Sequence, residues 1–395
     1  MNDINRFYNP KDIKYLTHDF HPYPNKFIPQ VARAIIKEYS KENDTILDSF
    51  CGSGTSLIEA NLLHRNSIGI DLNPLACLIS KVKTTPIEIN KLNNIIKKLL
   101  DDLYFNLKRD GTLRDYTDRI NPTIPIFQKR DYWFQENALI SLSVLKELIN
   151  NTADVKIKDF CLIAFSSIIK DVSDASSLYR LTKLQKPRKI SRFYVNYKFR
   201  EKINKMINAL AEYNKVANPN SIEIYNRDSR CLNGLDKVDF IIANPPNFSF
   251  DFNRCFKVYF WWLDFGNDFG LDKRFIGTKR TNSEIINLNI GFVDELITKI
   301  EERRKGMAVA LSKYYFDMKN VFINFYELLK DNKCCCVHAS DSILYGHKIK
   351  CPETFVELAK QAGFKSEKRI ERIIPKKALI YAKEDKIEEF LILRK

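Results

Sequence analysis

The sequence lacks the features that would mark several common classes. Its nine cysteines include no C-x-x-C pair, so neither a redox dithiol nor a metal-ligand spacing is present. Cys334, Cys335 and Cys336 are consecutive, and consecutive strand residues face opposite ways, so they read as small buried apolar residues rather than convergent ligands. No apolar run reaches the ~20 residues of a membrane span, and Met1-Asn2-Asp3-Ile4-Asn5 has no signal-peptide pattern, which points to a cytoplasmic protein. Acid is in deficit: 49 Asp and Glu stand against 64 Lys and Arg, a formal net charge of +15. That balance suits a polyanionic partner, nucleic acid first and an anionic membrane surface a distant second. A lysine- and asparagine-rich composition weakens the inference, so charge alone decides little. The length and a hydrophobic content of 45% allow a large core, one catalytic domain with an insertion or a second small domain.

Only 12 residues are glycine, and two of them fall one residue apart in Asp48-Ser49-Phe50-Cys51-Gly52-Ser53-Gly54-Thr55. Thr45-Ile46-Leu47 before this stretch reads as a buried strand, and Ser56 to Leu63 after it as a helix with apolar positions three and four apart. Glycines at such a junction let the backbone turn tightly and approach a ligand. A second apolar run, Ser67 to Ile70, ends in Asp71, 23 residues after Asp48. A nucleotide-binding unit places its ribose partner at about that offset.

Residues 1–20 show no periodicity and read as a loose arm. His21-Pro22-Tyr23-Pro24-Asn25-Lys26-Phe27-Ile28-Pro29 is broken by proline until Pro29, which suits a first helical turn. Helices are expected from Gln30 to Tyr39, from Asn73 to Val82, over Ile89 to Leu107, and near 136–150 and 156–170. The span from the nucleotide unit to the next strand candidate, near residue 222, far exceeds one crossover, so 90–219 reads as a mainly helical insertion between segments 1–89 and 220–395. Within it, Arg180 to Lys205 carries ten Lys and Arg against the single acid Glu201, interleaved with Phe193, Tyr194, Tyr197 and Phe199. Lys186, Arg188, Lys189 and Arg192 are candidate nucleic-acid contacts, since basic and aromatic groups together hold phosphates and stack on bases; a solvated face with its aromatics packed inward is the plainer alternative.

Val238 to Ala243 is a continuous apolar run, the mark of a central parallel strand. It ends in Asn244-Pro245-Pro246-Asn247. Two prolines leave no N–H donors, so the corner offers acceptors: the Asn244 side-chain oxygen and the carbonyls of Asn244 and Pro245. Acceptors placed on both hydrogens of an exocyclic base amine favour a pyramidal nitrogen and stabilise the positive charge that develops when it attacks a methyl group. The aromatic stretch Phe248 to Asp264 follows. A helix is expected over Met307 to Leu329, with Asn332 as a left-handed stop, then strands near 333–338, 369–374 and 389–394.

These segments together resemble the S-adenosylmethionine-dependent DNA amino-methyltransferases of prokaryotic restriction-modification systems, over roughly 18–90 and 220–395. The resemblance implies an α/β, Rossmann-like class I methyltransferase fold, a doubly wound and mostly parallel seven-stranded sheet. His21 to Pro29 is similar to the family's motif beside the methionine end of the cofactor, which brings in Phe27. Asp48, Phe50, Gly52, Gly54 and Thr55 lie in its glycine-rich loop, Asp71 at its ribose position, and Asp228 where the adenine amine is accepted. Asn244 to Asn247 resembles the catalytic tetrapeptide. Phe275-Ile276-Gly277-Thr278 and Ile373-Ile374-Pro375-Lys376-Lys377 resemble the cytosine-N4 branch, whereas Asn at the first tetrapeptide position is commoner in adenine-N6 enzymes. The family's fourth position is normally an aromatic that stacks on the flipped base; Asn247 stands there, and Phe248 or Phe250 is a candidate replacement. The resemblance implies S-adenosylmethionine as cofactor, double-stranded DNA as substrate, a cognate restriction endonuclease as a possible partner, and no metal. An RNA or protein-glutamine methyltransferase and a catalytically silent DNA-binding subunit of the same fold are the alternatives.

Overall fold

The computed structural model describes residues 13–108, 124–127, 129–177, 182–248, 251–266, 269–279, 284–374 and 386–395. Residues 1–12, most of the turn-rich segment after Arg109, Phe250, and Pro375 to Lys377 lie outside them.

A seven-stranded sheet organises the chain. Its strands are β1 (Thr45–Asp48), β2 (Asn66–Ile70), β5 (Ile222–Tyr225), β6 (Val238–Ala243), β7 (Leu329–Ala339), β10 (Lys365–Ile374) and β11 (Lys386–Arg394), in the order β10-β11-β7-β6-β1-β2-β5. β3 (Ala175–Ser177) and β4 (Thr182–Lys183) form one small antiparallel pair, β8 (Ser342–Leu344) and β9 (His347–Ile349) another. The five strands from β5 to β7 run parallel, and β11 is antiparallel to both its neighbours. The strands from β1 proceed toward β5 on one side and from β6 toward β7 on the other. β1 and β6 therefore flank the point where the winding reverses, where a crevice opens at the carboxyl ends of the strands.

Helix α1 (Pro29–Tyr39) and α2 (Thr55–Leu62) cover one face of the sheet, with Ile35, Ile36 and Ala60 against Ile46, Phe240, Ile242, Cys334 and Cys336. The opposite face carries Leu47, Ile241, Cys335 and Val337 against the residues of 291–328 and 351–361. The cysteine run thus alternates across the sheet as strand geometry requires. The insertion contributes α4 (Ile89–Leu107), α5 (Arg130–Trp133), α6 (Glu136–Asn150), α7 (Val155–Ile168) and α8 (Arg192–Val216), after α3 (Pro74–Thr84). Its buried residues share one core with Ile58, Leu75 and Ile79 of α2 and α3 and with α9 (Phe252–Trp262). The helices are packed onto the cofactor half through a continuous apolar interface.

After the short α10 (Phe269–Arg274), α11 spans Gly291–Leu328 as two helices joined at a non-helical Arg304 (φ −159°, ψ 93°), and the second of them is the helix expected over Met307 to Leu329. Two expectations are revised. Asn332 takes a left-handed φ of 60°, past the end of that helix rather than at it. The described part of the N-terminal arm is anchored rather than loose. Thr17, His18 and Phe20 are buried; the Tyr15 hydroxyl donates to Glu59, and His18 Nε2 lies 2.8 Å from Glu59 Oε1. Polar anchors leave no periodic trace in a sequence, which is why the segment read as loose.

Candidate active site

The loop after β1 is shaped by its glycines. Gly52 and Gly54 have φ of 51° and 72°, a region where a side chain is costly. A Cβ on Gly54 would lie 2.8 Å from Ser80 Oγ and 3.0 Å from the Ser80 Cα, so that glycine also allows α2 to pack against α3. The Lys83 ammonium, fully buried, donates to the Ser53 carbonyl at 2.6 Å and braces the loop from behind.

Phe27, Asp48, Phe50, Gly52, Thr55, Asp71 and Asp228 line a single cavity at the switch point, and Asn244, Pro245, Pro246 and Asn247 line it too. Gly54 sits immediately behind it, at the head of α2. Asp71 is held from both sides: the Gly52 N–H donates to Oδ2 at 2.9 Å and the Asn73 N–H to Oδ1 at 2.8 Å. Burial outweighs these two donors and pushes its carboxyl up to about 6. Asp48 is 2% exposed, accepts from the Phe50 N–H at 3.1 Å and from the Ser56 hydroxyl, and is pushed by burial up to about 7. At Asp228, burial raises and the Arg230 guanidinium lowers; the guanidinium wins and holds the carboxyl below its usual range. Arg230 grips both carboxylate oxygens and bridges to Asp317 at 3.0 Å.

The cavity suits S-adenosylmethionine. Three carboxylates face it against the cations Lys26 and Arg274, which favours a cationic nucleoside, and the glycine loop forms a cradle that side chains would fill. Asp71 and Asp48 both line it, and carboxylates at such positions suit donor groups such as hydroxyls and ammonium.

Asn244 is oriented by its neighbour. Its Nδ2 donates to the Asn25 carbonyl at 3.2 Å, which leaves Oδ1 as the atom available to accept. The Tyr314 hydroxyl donates to the Pro246 carbonyl at 3.2 Å and pins the second proline.

Phe248 does not line the cavity. It packs on Tyr314, ring centroids 5.7 Å apart, and joins the core on that side of the sheet. The aromatic wall comes instead from Tyr23, Phe252, Phe256 and Phe275. Tyr23 stacks on Phe256 at 5.1 Å and accepts from Asn73 Nδ2 at 3.2 Å, while Phe252 stacks on Phe275 at 3.4 Å. These residues were missed because helical spacing makes Phe252 and Phe256 look like core; the aromatic density of 248–264 was the only signal. Lys186, Arg188 and Lys189 are exposed in the segment leading into α8 and Arg192 is its first residue. None of them lines the cavity. Phe193 and Tyr197 beside them are 45% and 59% exposed, whereas Phe199 is buried, so the aromatics divide between the two readings.

Residues 3–82 match the family model described as DNA methylase, of the N6/N4 type. The type II methyltransferase M.MvaI of Kocuria varians is 27% identical over 349 residues, 80% of this chain and 76% of that protein. The type II methyltransferase M.MjaII of Methanocaldococcus jannaschii is 25% identical over 337 residues, 80% of this chain and 57% of that protein. Among solved structures, the rRNA methyltransferase aviRa from Streptomyces viridochromogenes overlaps 98% of this chain and 93% of its own with a TM-score of 0.34 and 9% identity, too little to argue from. The fold rests on the strand order, which is that of a class I methyltransferase. The chain is thus similar over four fifths of its length to type II DNA methyltransferases, and its first 82 residues carry the match to the N6/N4 DNA methylase model.

Proposed function

We propose that the protein is a site-specific methyltransferase acting on the exocyclic amine of a base flipped out of double-stranded DNA, cytosine-N4 ahead of adenine-N6, in a cytoplasmic restriction-modification system. The observation that carries this reading is the place of Asn244, which lines the cavity shared with Asp48 and Asp71 and whose amide nitrogen is occupied by the Asn25 carbonyl, leaving its oxygen to accept. When bound, S-adenosylmethionine supplies an electrophilic methyl group. Asn244 Oδ1 and the Pro245 carbonyl each accept one hydrogen of the target amine, which frees the nitrogen lone pair from conjugation with the ring. Asp71 takes the ribose hydroxyls, Asp48 and Phe27 the methionine end, and Asp228 the adenine amine. No strong base is needed, because the proton leaves after the nitrogen has become cationic. Extruding the base costs a few kcal/mol, which the apolar cavity wall recovers in part. Lys186, Arg188, Lys189 and Arg192, in the helical insertion 90–219, hold the DNA backbone.

The test is transfer of tritiated methyl from S-adenosylmethionine to unmethylated plasmid DNA, RNA or protein, with the product identified by mass spectrometry. N4-methylcytosine is expected. N6-methyladenine would overturn the base preference, and label confined to RNA or protein would overturn the DNA reading.

A further inference from the structure

The β8–β9 hairpin follows the end of β7, at the same end of the parallel strands as the catalytic corner. Ala243, the residue before Asn244, pairs with Val337, so β7 passes the catalytic corner just before it ends at Ala339. Ile343 lies six residues beyond Val337, within about 20 Å along the chain. Leu344 and Ile349 tie the hairpin to the core, whereas Ile343 faces the other way and is 78% exposed. An aliphatic side chain that far out contributes little to the core and is free to meet a partner.

The hairpin is held in position. Tyr345 and Gly346 have φ of 52° and 83°, and a tyrosine is rarely found in that region. The tip is fastened to the break in α11: Arg303 Nη1 donates to the Tyr345 carbonyl at 2.9 Å and Arg304 Nη1 to its hydroxyl at 3.4 Å. Arg303, Arg304 and Lys305 are exposed there, as are Lys348 and Lys350; Lys348 is paired with Asp341 at 2.6 Å, and Glu301 and Glu302 lie on the same helix. An apolar finger ringed mainly by cations matches a polyanion that has an apolar interior, which describes stacked base pairs between two phosphate backbones.

We infer that this hairpin is a DNA-contacting wedge. Ile343 presses against or between base pairs next to the extruded base, while Arg303, Arg304 and Lys305 hold the adjoining phosphates. The inference rests on the reading of duplex DNA as substrate.

The test compares the full chain with Ile343→Ser, Ile343→Leu and the double variant Arg303→Ala with Arg304→Ala, on unmethylated plasmid DNA. Ile343→Ser is expected to lower kcat/KM for DNA at least tenfold, with Ile343→Leu near the parent. Cofactor affinity and melting temperature should not change for either, because the side chain is exposed. The arginine variant should bind DNA more weakly and with a shallower dependence on salt. An Ile343→Ser protein that methylates DNA within twofold of the parent overturns the wedge while leaving the substrate reading intact. A parent chain that labels RNA and not DNA removes both.

Discussion

Replacing Asn244 by alanine deletes one of the two acceptors assigned to the target amine and leaves the other, the Pro245 carbonyl, in place. Removing one preorganised group of this kind costs about 10²–10³-fold in rate, about 3 kcal/mol. The same change removes the hydrogen bond to the Asn25 carbonyl, which lies at the surface and can turn to water, so the loss of stability should be about 1 kcal/mol. Asp48 and Asp71, the carboxylates proposed to hold the cofactor, belong to other strands and keep their partners. Single-turnover methyl transfer should therefore fall by two to three orders of magnitude. The cofactor dissociation constant, followed by calorimetry, should stay within about twofold. A single-turnover rate within threefold of the parent would refute the acceptor assignment. A rate loss that tracks a loss of cofactor affinity would mean that Asn244 serves the cofactor rather than the amine.

The other predictions concern the cofactor loop and its supports. Asp71 is raised by burial to about 6, so acidification through that value protonates it, and affinity for the cationic cofactor should weaken several-fold between pH 7.5 and 5.5; Asp71→Asn should bind more weakly and show a flatter profile in the same titration. Asp48 takes up its proton more readily folded (about 7) than unfolded, so its contribution favours the folded state as pH falls from 7.5 toward 4; the melting temperature of the apo protein relative to Asp48→Asn should rise over that range, and a constant difference would refute the shift. Gly54→Ala forces a Cβ against Ser80 in a left-handed conformation and should cost about 2 kcal/mol in urea denaturation along with most cofactor affinity. Glu59→Ala leaves the Tyr15 hydroxyl and the buried His18 ring without their hydrogen-bond partner and should cost about 2 kcal/mol, loosening the arm that carries Tyr23 and Phe27, as hydrogen exchange over residues 15–28 would report.

Where a signal is local, the sequence carried it. The Asp48 to Thr55 loop, Asp71 and the Asn244-Pro245-Pro246 corner each follow a short apolar strand, and turn geometry and donor inventory are properties of a few consecutive residues. The buried cysteine run alternates across the sheet for the same reason: strand periodicity is two whatever surrounds it. The failures are non-local. Tyr15 and His18 looked idle because their partner Glu59 lies more than forty residues away. Phe248 was a candidate for the base pocket on proximity to Asn247 alone, and the packing of Tyr314 draws it to the other side.

By itself, then, the sequence determined the glycine loop, the donor-free corner and the parallel strands that carry them, since backbone restriction and side-chain chemistry act over a handful of residues. Only the tertiary structure decided that Asn25 holds the Asn244 amide, that Phe252, Phe256 and Phe275 wall the cavity, and that the Ile343 hairpin is fastened to a broken helix. Those outcomes depend on which distant segments the sheet order brings together, and strand order follows from the packing of the whole chain.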